Sequence, residues 1–371
     1  MSPQPPFVPR PEITTVPPAI HGARNYTELA ALGLSGDDVL DFSSNTNPYG
    51  APPAVLDAVQ KTIHATLLKR YPDRDALALR AAISRHLRIA PEKILPGNGT
   101  AELIQTIALA YVRPGSRHAI LSPTFGEYAR AVQLLGGRVE TIIAPPPDFR
   151  FNLETVARRL QNLQPDTVWL CNPNNPTGQQ WSAEALTLVR RSAPQALWVV
   201  DEAYRHFAAT PTPAIAASNT IILRSLTKDF ALAGLRLGYA IAHPAVIAAL
   251  KTAQPPWSVN TPAQIAGVAA FSPESVAWRQ RTLTKLRQHA AQLWNDLRAS
   301  GMIVLPTDTT FALIAVNDAP EPRRRLLEQR ILVRDATSFG LPRHIRVAAR
   351  RPAENRRLVA ALSTLNPLVT S

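Results

Sequence analysis

From about residue 40 onward, short apolar runs alternate with segments of helical spacing. The runs lie at 119–121, 167–170, 197–200, 221–223 and 239–242. They are too short for helices and lack the polar alternation of a half-exposed strand, so they predict strands buried on both faces. Between them, 101–112, 126–135 and 183–192 place apolar residues three and four apart, which predicts helices. Strands alternating with helices imply a mostly parallel central sheet flanked by helices, an α/β layer fold. After about 255 the pattern changes. One long helix is expected over 277–299, then apolar runs at 302–305, 311–316, 331–333 and 345–348 alternate with helices at 321–330 and 353–364. That pattern predicts a smaller α+β domain. Residues 1–20 are proline-rich and aperiodic, and are expected to form an extended arm. The expected division is 1–40 for the arm and part of the small domain, 41–255 for the large domain and 256–371 for the small C-terminal domain.

Composition narrows the field. The 371 residues are 46% hydrophobic and 18% charged, ordinary for a globular protein with two cores. No apolar run reaches the roughly 18 residues of a membrane span, and prolines stand where a signal peptide would have its apolar stretch. Cys171 is the only cysteine, so no internal disulfide forms and a thiolate metal site is excluded. A cytoplasmic enzyme without a metal is expected. The net charge of +13 allows an anion-binding surface or a general arginine bias. The densest runs, Arg323–Arg325 and Arg350–Arg351, lack interleaved aromatics, which argues against nucleic acid.

In α/β folds, ligands gather beyond the carboxyl ends of the strands. Four polar clusters fall there: Pro123–Phe125, Asn172–Gly178, Asp201 and Arg224–Lys228. Lys228 lies among Ser225, Thr227 and, eight residues on, Arg236. An amine beside hydroxyls and an arginine, with an acid ending another strand, is the set needed to hold pyridoxal 5′-phosphate as a Schiff base. Lys228 would also shuttle protons. Asp201 would keep the pyridine nitrogen protonated, and Tyr204 would reach the 3′-oxygen; a turn aspartate and a core tyrosine are the plainer alternatives. Gly99, Thr100 and Ala101 precede a helical pattern and would cup the phosphate with Ser225, Thr227 and Arg236. Phe125 is a candidate to stack on the ring, or else a core residue. Arg334 and Arg346 interrupt apolar runs and call for anionic partners, a substrate carboxylate or phosphate or a structural ion pair.

These motifs resemble the fold-type I pyridoxal phosphate enzymes of the class I/II aminotransferase group, over about residues 20–364. The carriers are Asn172-Pro-Asn-Asn-Pro-Thr-Gly178, Asp201-Glu-Ala-Tyr204 and Ser225-Leu-Thr-Lys228 with Gly234-Leu-Arg-Leu-Gly-Tyr239. The resemblance implies Asn175 and Tyr204 at the cofactor 3′-oxygen, and a homodimer in which Tyr71 crosses to the neighbour's phosphate. It also implies that His21, Gly22, Asn45, Asn175, Arg334 and Arg346 contact a phosphorylated amino-acid substrate. Two branches fit: threonine-phosphate decarboxylases of cobalamin biosynthesis and histidinol-phosphate aminotransferases. His21-Gly22, Asp41-Phe-Ser-Ser-Asn-Thr-Asn-Pro48 and Gln254–Asn260 look like the decarboxylases, so decarboxylation of threonine phosphate is the leading expectation and amino transfer from histidinol phosphate to 2-oxoglutarate the alternative. Ala23, where the decarboxylase pattern usually has glycine, and Tyr204, where it often has phenylalanine, depart from that pattern.

Overall fold

A computed structural model describes residues 7–62, 69–212 and 217–365. Twelve strands are formed among them: β1 Leu40–Asp41, β2 Ile94–Gly97, β3 Arg117–Ser122, β4 Arg138–Ile143, β5 Thr167–Cys171, β6 Leu197–Asp201, β7 Thr220–Ser225, β8 Gly238–Ile241, β9 Phe311–Ala315, β10 Ile331–Leu332, β11 Arg334–Asp335 and β12 His344–Ala348. The central sheet has the order β2-β8-β7-β6-β5-β3-β4. Every pairing is parallel except those of β8, which runs against both β2 and β7.

The central strands are apolar throughout because helices cover both faces. Successive side chains point to opposite sides of a strand. In β5, Trp169 joins the core with Val199, Ile221 and Leu103, while Val168 and Leu170 join Trp198, Leu186 and Val189 on the other side. Truncating either buried tryptophan to alanine would cost roughly 3–5 kcal/mol.

A three-stranded sheet, β11-β12-β9, is antiparallel, and β9 and β12 share a hydrophobic core with the long helix Pro273–Ala299 and the helix Pro352–Thr364. The long helix starts at Pro273, after Ser272, whose hydroxyl accepts the Ser275 amide. It buries Leu283, Leu286, Ala290, Leu293 and Leu297 along one stripe. β1 pairs with β10, tying the N-terminal segment to the C-terminal one.

Several expectations need correction. The arm is not wholly extended, since Pro11–Thr15 forms a short helix whose first-turn proline needs no amide partner. The run 239–242 is a strand but reversed. Within 302–305 only Val304 makes a bridge, to Ile314. β2 and β4 depart from the expected set: β2 contains Pro96, and β4 is an edge strand whose exposed Arg138, Glu140 and Thr141 break up the apolar signal. No described helix is long and apolar enough to cross a membrane.

Candidate active site

The strand ends converge as the topology requires. β3, β5, β6 and β7 all deliver their carboxyl ends to one edge. The reversed β8 brings its amino end there, so Arg236 arrives beside Lys228. An inner cavity of about 90 Å³ is lined by Thr100, Ala101, Phe125, Asn175, Asp201, Tyr204, Thr227, Lys228 and Arg236, with Tyr128, Cys171 and Ala203. It shares Ala101, Phe125, Asn175, Tyr204, Lys228 and Arg236 with an outer cleft of about 720 Å³, so the two form one chamber.

Lys228 follows the turn after β7, its carbonyl accepting the Asn47 amide at 2.9 Å. Burial pulls its amine down to about 8; Arg346 and Arg236 add to the shift, while Asp201 and Asp41 oppose it. A lowered pKa makes the neutral amine, the form that is a nucleophile and a base, far more accessible near physiological pH than in an ordinary lysine.

Asp201 ends β6 and is buried. Its Oδ2 accepts the Tyr128 hydroxyl at 2.8 Å and its Oδ1 the Ala203 amide at 2.9 Å. Burial raises its carboxyl above the ordinary range, against the hydrogen bonds from Tyr128 and Ala203. A cationic ring nitrogen brought next to it would reverse that cost.

Tyr204 packs edge-on to Phe311, ring centroids 5.0 Å apart, and burial pushes its hydroxyl pKa up. Asn175 accepts from Arg346 through Oδ1, which leaves its NH2 as the donor available to the cavity. Phe125 lies on the wall, 5.7 Å from Tyr128 in an edge contact.

On the opposite side of Lys228, the helix Gly99–Tyr111 presents its first turn, containing Thr100 and Ala101. Gly99 has φ 77°, and a Cβ there would sit 2.8 Å from Arg236 Nη2. Only glycine lets the arginine lie against the helix start. Ser225 and Thr227 hydroxyls are 2.6 Å apart, with Thr227 in the cavity wall and Ser225 behind it.

The predicted substrate residues line the outer cleft. Arg334 and Arg346 are direct cross-strand neighbours, so both leave the same face of β11 and β12. Arg346 donates to Asn175 and to the Ser43 carbonyl. Arg334 donates to the carbonyls of His21 (2.9 Å) and Ile20 (2.8 Å) and to Ser338 (2.6 Å). Neither arginine faces a carboxylate among these contacts, and each keeps a buried Nε without a partner. Burial pulls the pKa of both down; Asp335 opposes this at Arg334 and Tyr204 and Asp41 oppose it at Arg346, while Arg323 beside the first and Arg334 beside the second add like-charge repulsion. Asn45, 3% exposed, lies with its amide close to the Tyr204 hydroxyl. His21 lies 3.1 Å from Glu127, and its ring is 5.5 Å from Phe125. Gly22 passes so close to Ser43 that a Cβ would meet its carbonyl at 2.9 Å. Ala23 next to it holds φ 85°, a conformation that favours glycine.

Tyr71 is not brought to this chamber. It is 79% exposed and stacks on Trp257 with centroids 4.6 Å apart. The residues that sequence reasoning missed are Tyr128, Glu127 and the arm segment Val16–Ile20, which walls the outer cleft. Glu127 and Tyr128 follow Phe125 at the start of a post-strand helix, which was their only signal.

The chamber fits pyridoxal phosphate. An acid stands at one end, phosphate donors stand at the other, an amine lies between them and an aromatic wall flanks them. The class I and II aminotransferase family model matches residues 37–362. The chain is 33% identical over 364 residues to histidinol-phosphate aminotransferase from Moorella thermoacetica, covering 95% of this chain and 92% of the relative. It is 36% identical over 355 residues to threonine-phosphate decarboxylase from Salmonella typhimurium, covering 92% and 95%. The crystal structure of histidinol-phosphate aminotransferase from Sinorhizobium meliloti in complex with pyridoxal 5′-phosphate superposes with a TM-score of 0.84 at 25% identity, covering 98% of both chains. Histidinol-phosphate aminotransferases predominate among the strongest curated matches, which weighs against the decarboxylase expectation. Fold, chamber and whole-length similarity agree that the chain belongs to the class I and II aminotransferases, a family dependent on pyridoxal 5′-phosphate.

Proposed function

We propose that the chain acts on the amino-bearing carbon of a small phosphorylated substrate, and that amino transfer, with histidinol phosphate as donor and 2-oxoglutarate as acceptor, is the leading form. The observation that carries the substrate class is the Arg334–Arg346 pair. Like charges directly opposite across strands are destabilising. Two guanidiniums facing the same cleft as Lys228 therefore call for anions from outside the chain. In amino transfer they would take the donor's phosphate and the acceptor's carboxylates in turn.

Pyridoxal phosphate, when bound, supplies an aldehyde that bonds the substrate amine and a ring that draws electrons from the bond being broken. Gly99, Thr100, Ala101, Ser225, Thr227 and Arg236 would hold its phosphate, Asn175 and Tyr204 its 3′-oxygen, and Phe125 one face of its ring. Asp201 would hold a proton at the ring nitrogen. Lys228 would take and return the proton at the substrate's α-carbon. His21, Gly22 and Asn45 would shape the end of the cleft nearest Arg334. The boundaries 1–40, 41–255 and 256–371 belong to the same reading, as do a cytoplasmic location and a homodimer in which the exposed Tyr71 reaches the neighbour's chamber.

A second reading, decarboxylation of threonine phosphate, is favoured by the same arginine pair. One molecule bearing both a carboxylate and a phosphate would satisfy both guanidiniums at once. The Salmonella typhimurium relative, at 36% identity, adds to it. The test is to incubate the holoenzyme with histidinol phosphate plus 2-oxoglutarate and, separately, with threonine phosphate alone, and to identify the products by mass. Glutamate formation in the first mixture supports amino transfer. Carbon dioxide release in the second, without an acceptor, replaces it with the second reading, and silence in both sinks the substrate class.

A further inference from the structure

A second cavity, of about 540 Å³, opens between residues 205–211 and the long helix Pro273–Ala299. It shares no wall residue with the chamber around Lys228. Its size lies within the roughly 300–1,000 Å³ typical of small-molecule sites. Arg205, Arg279, Arg287, His86 and His206 line it, and no aspartate or glutamate among the described residues does.

The nearby carboxylates are already shared. Glu202 accepts from Arg224 at 2.9 Å and from Arg205 at 3.3 Å. Asp229 lies 2.7 Å from His206 and 3.3 Å from Arg279. Three arginines and His206 therefore share two acids. Arg287 has neither acid. It donates only to the His206 carbonyl at 3.2 Å and to the Thr284 hydroxyl at 2.9 Å. Burial alone pulls its pKa down, with no carboxylate pulling it back. A guanidinium carries five N–H donors, so these contacts leave donors free for the cavity.

The helix arranges this deliberately in sequence terms. Positions 279, 283 and 287 recur every four residues and lie along one stripe. A cation, a leucine and a cation on that stripe give a charged rim around an apolar patch. On that stripe Arg279 already has a carboxylate, Asp229, whereas the half-buried guanidinium of Arg287 contacts none among the described residues, a cost that an anion in the cavity would offset.

We propose that this cavity is a second anion site, which takes a phosphoryl group either as free phosphate or as part of a small metabolite. Arg287 is its principal ligand, and Arg205 and Arg279 contribute.

The experiment is calorimetric titration of the holoenzyme at low salt with inorganic phosphate, pyrophosphate and adenosine monophosphate. Each is titrated into the wild type, Arg287→Gln, Arg287→Lys, Gln280→Glu and Arg346→Gln. Binding in this cavity should weaken about tenfold or more in Arg287→Gln, the loss of one charge-assisted contact. It should persist in Arg287→Lys, disappear in Gln280→Glu, which puts a negative charge in the wall, and stay unchanged in Arg346→Gln. Equal affinity for all three probes identifies free phosphate as the ligand, and a preference for the nucleotide identifies an organic phosphate. Binding lost in Arg346→Gln but untouched in Arg287→Gln and Gln280→Glu would assign every phosphate to the chamber and overturn the proposal, as would no binding of any probe.

Discussion

Replacing Lys228 with methionine in the cofactor-free chain should change how stability depends on pH. The native amine is pulled down to about 8 from 10.5, first by burial, then by Arg346 and Arg236. Between these two values the unfolded chain binds more protons than the folded one at this site, so wild-type stability rises with pH across the window. Below pH 8 the folded chain bears the full cost of a buried ammonium; above about 10.5 it bears none. At about 1.4 kcal/mol per pH unit, the whole window is worth about 3 kcal/mol. Lys228→Met removes this dependence and leaves every other titrating group in place. The stability advantage of Lys228→Met over the wild type should therefore be largest at pH 8 or below and narrow by about 2 kcal/mol by pH 9.5. Urea unfolding followed by circular dichroism at several pH values measures the difference directly. A constant gap between the two proteins from pH 8 to 9.5 would refute the buried free base.

Three further outcomes follow from the geometry. Gly99→Ala should weaken cofactor binding about tenfold or more, because its Cβ would strike Arg236 and the residue holds φ 77°; an unchanged cofactor titration would contradict the role given to Arg236. Ala23→Gly should raise stability by about 0.5–1 kcal/mol by relieving a left-handed alanine at φ 85°, and a lowered melting temperature would show that the loop is not strained. Tyr71→Ala should weaken cofactor binding in the dimer while leaving the fold intact, since the side chain is exposed within one chain; a fully active monomer in sedimentation would defeat the crossing role.

The sequence revealed most of what is buried and little of what is directional. β5, β6 and β7 stand out because both of their faces are covered, which produces unbroken apolar runs. The turns after β3 and β5 are legible because Pro123 and the Asn172–Gly178 stretch follow them, and glycine, proline and asparagine have few other uses there. Periodicity carries no arrow, however, so β8 looked like another parallel strand. β4 was lost because an edge strand need not be apolar. The site residues near Lys228 could be read because they follow strands. Tyr128 could not, since a tyrosine in a helical pattern reads as core until the Asp201 carboxylate is found 2.8 Å away. The proline-rich arm announces an extended segment but not where it lies: Val16–Ile20 form part of the outer cleft wall, a tertiary fact with no local signature.

The reversal of β8 has a mechanical consequence. Ser225 and Gly238 sit opposite each other at the mouth of a hairpin, and the loop they close carries both Lys228 and Arg236. The amine in the middle of the chamber and the guanidinium at one end are thus carried by one caliper, whose opening is set by the number of residues between its jaws. Lengthening that loop by a single residue would leave the sheet paired as before and spoil the grip, whereas insertions in the loops that reach the chamber from other strands would move only one contact at a time.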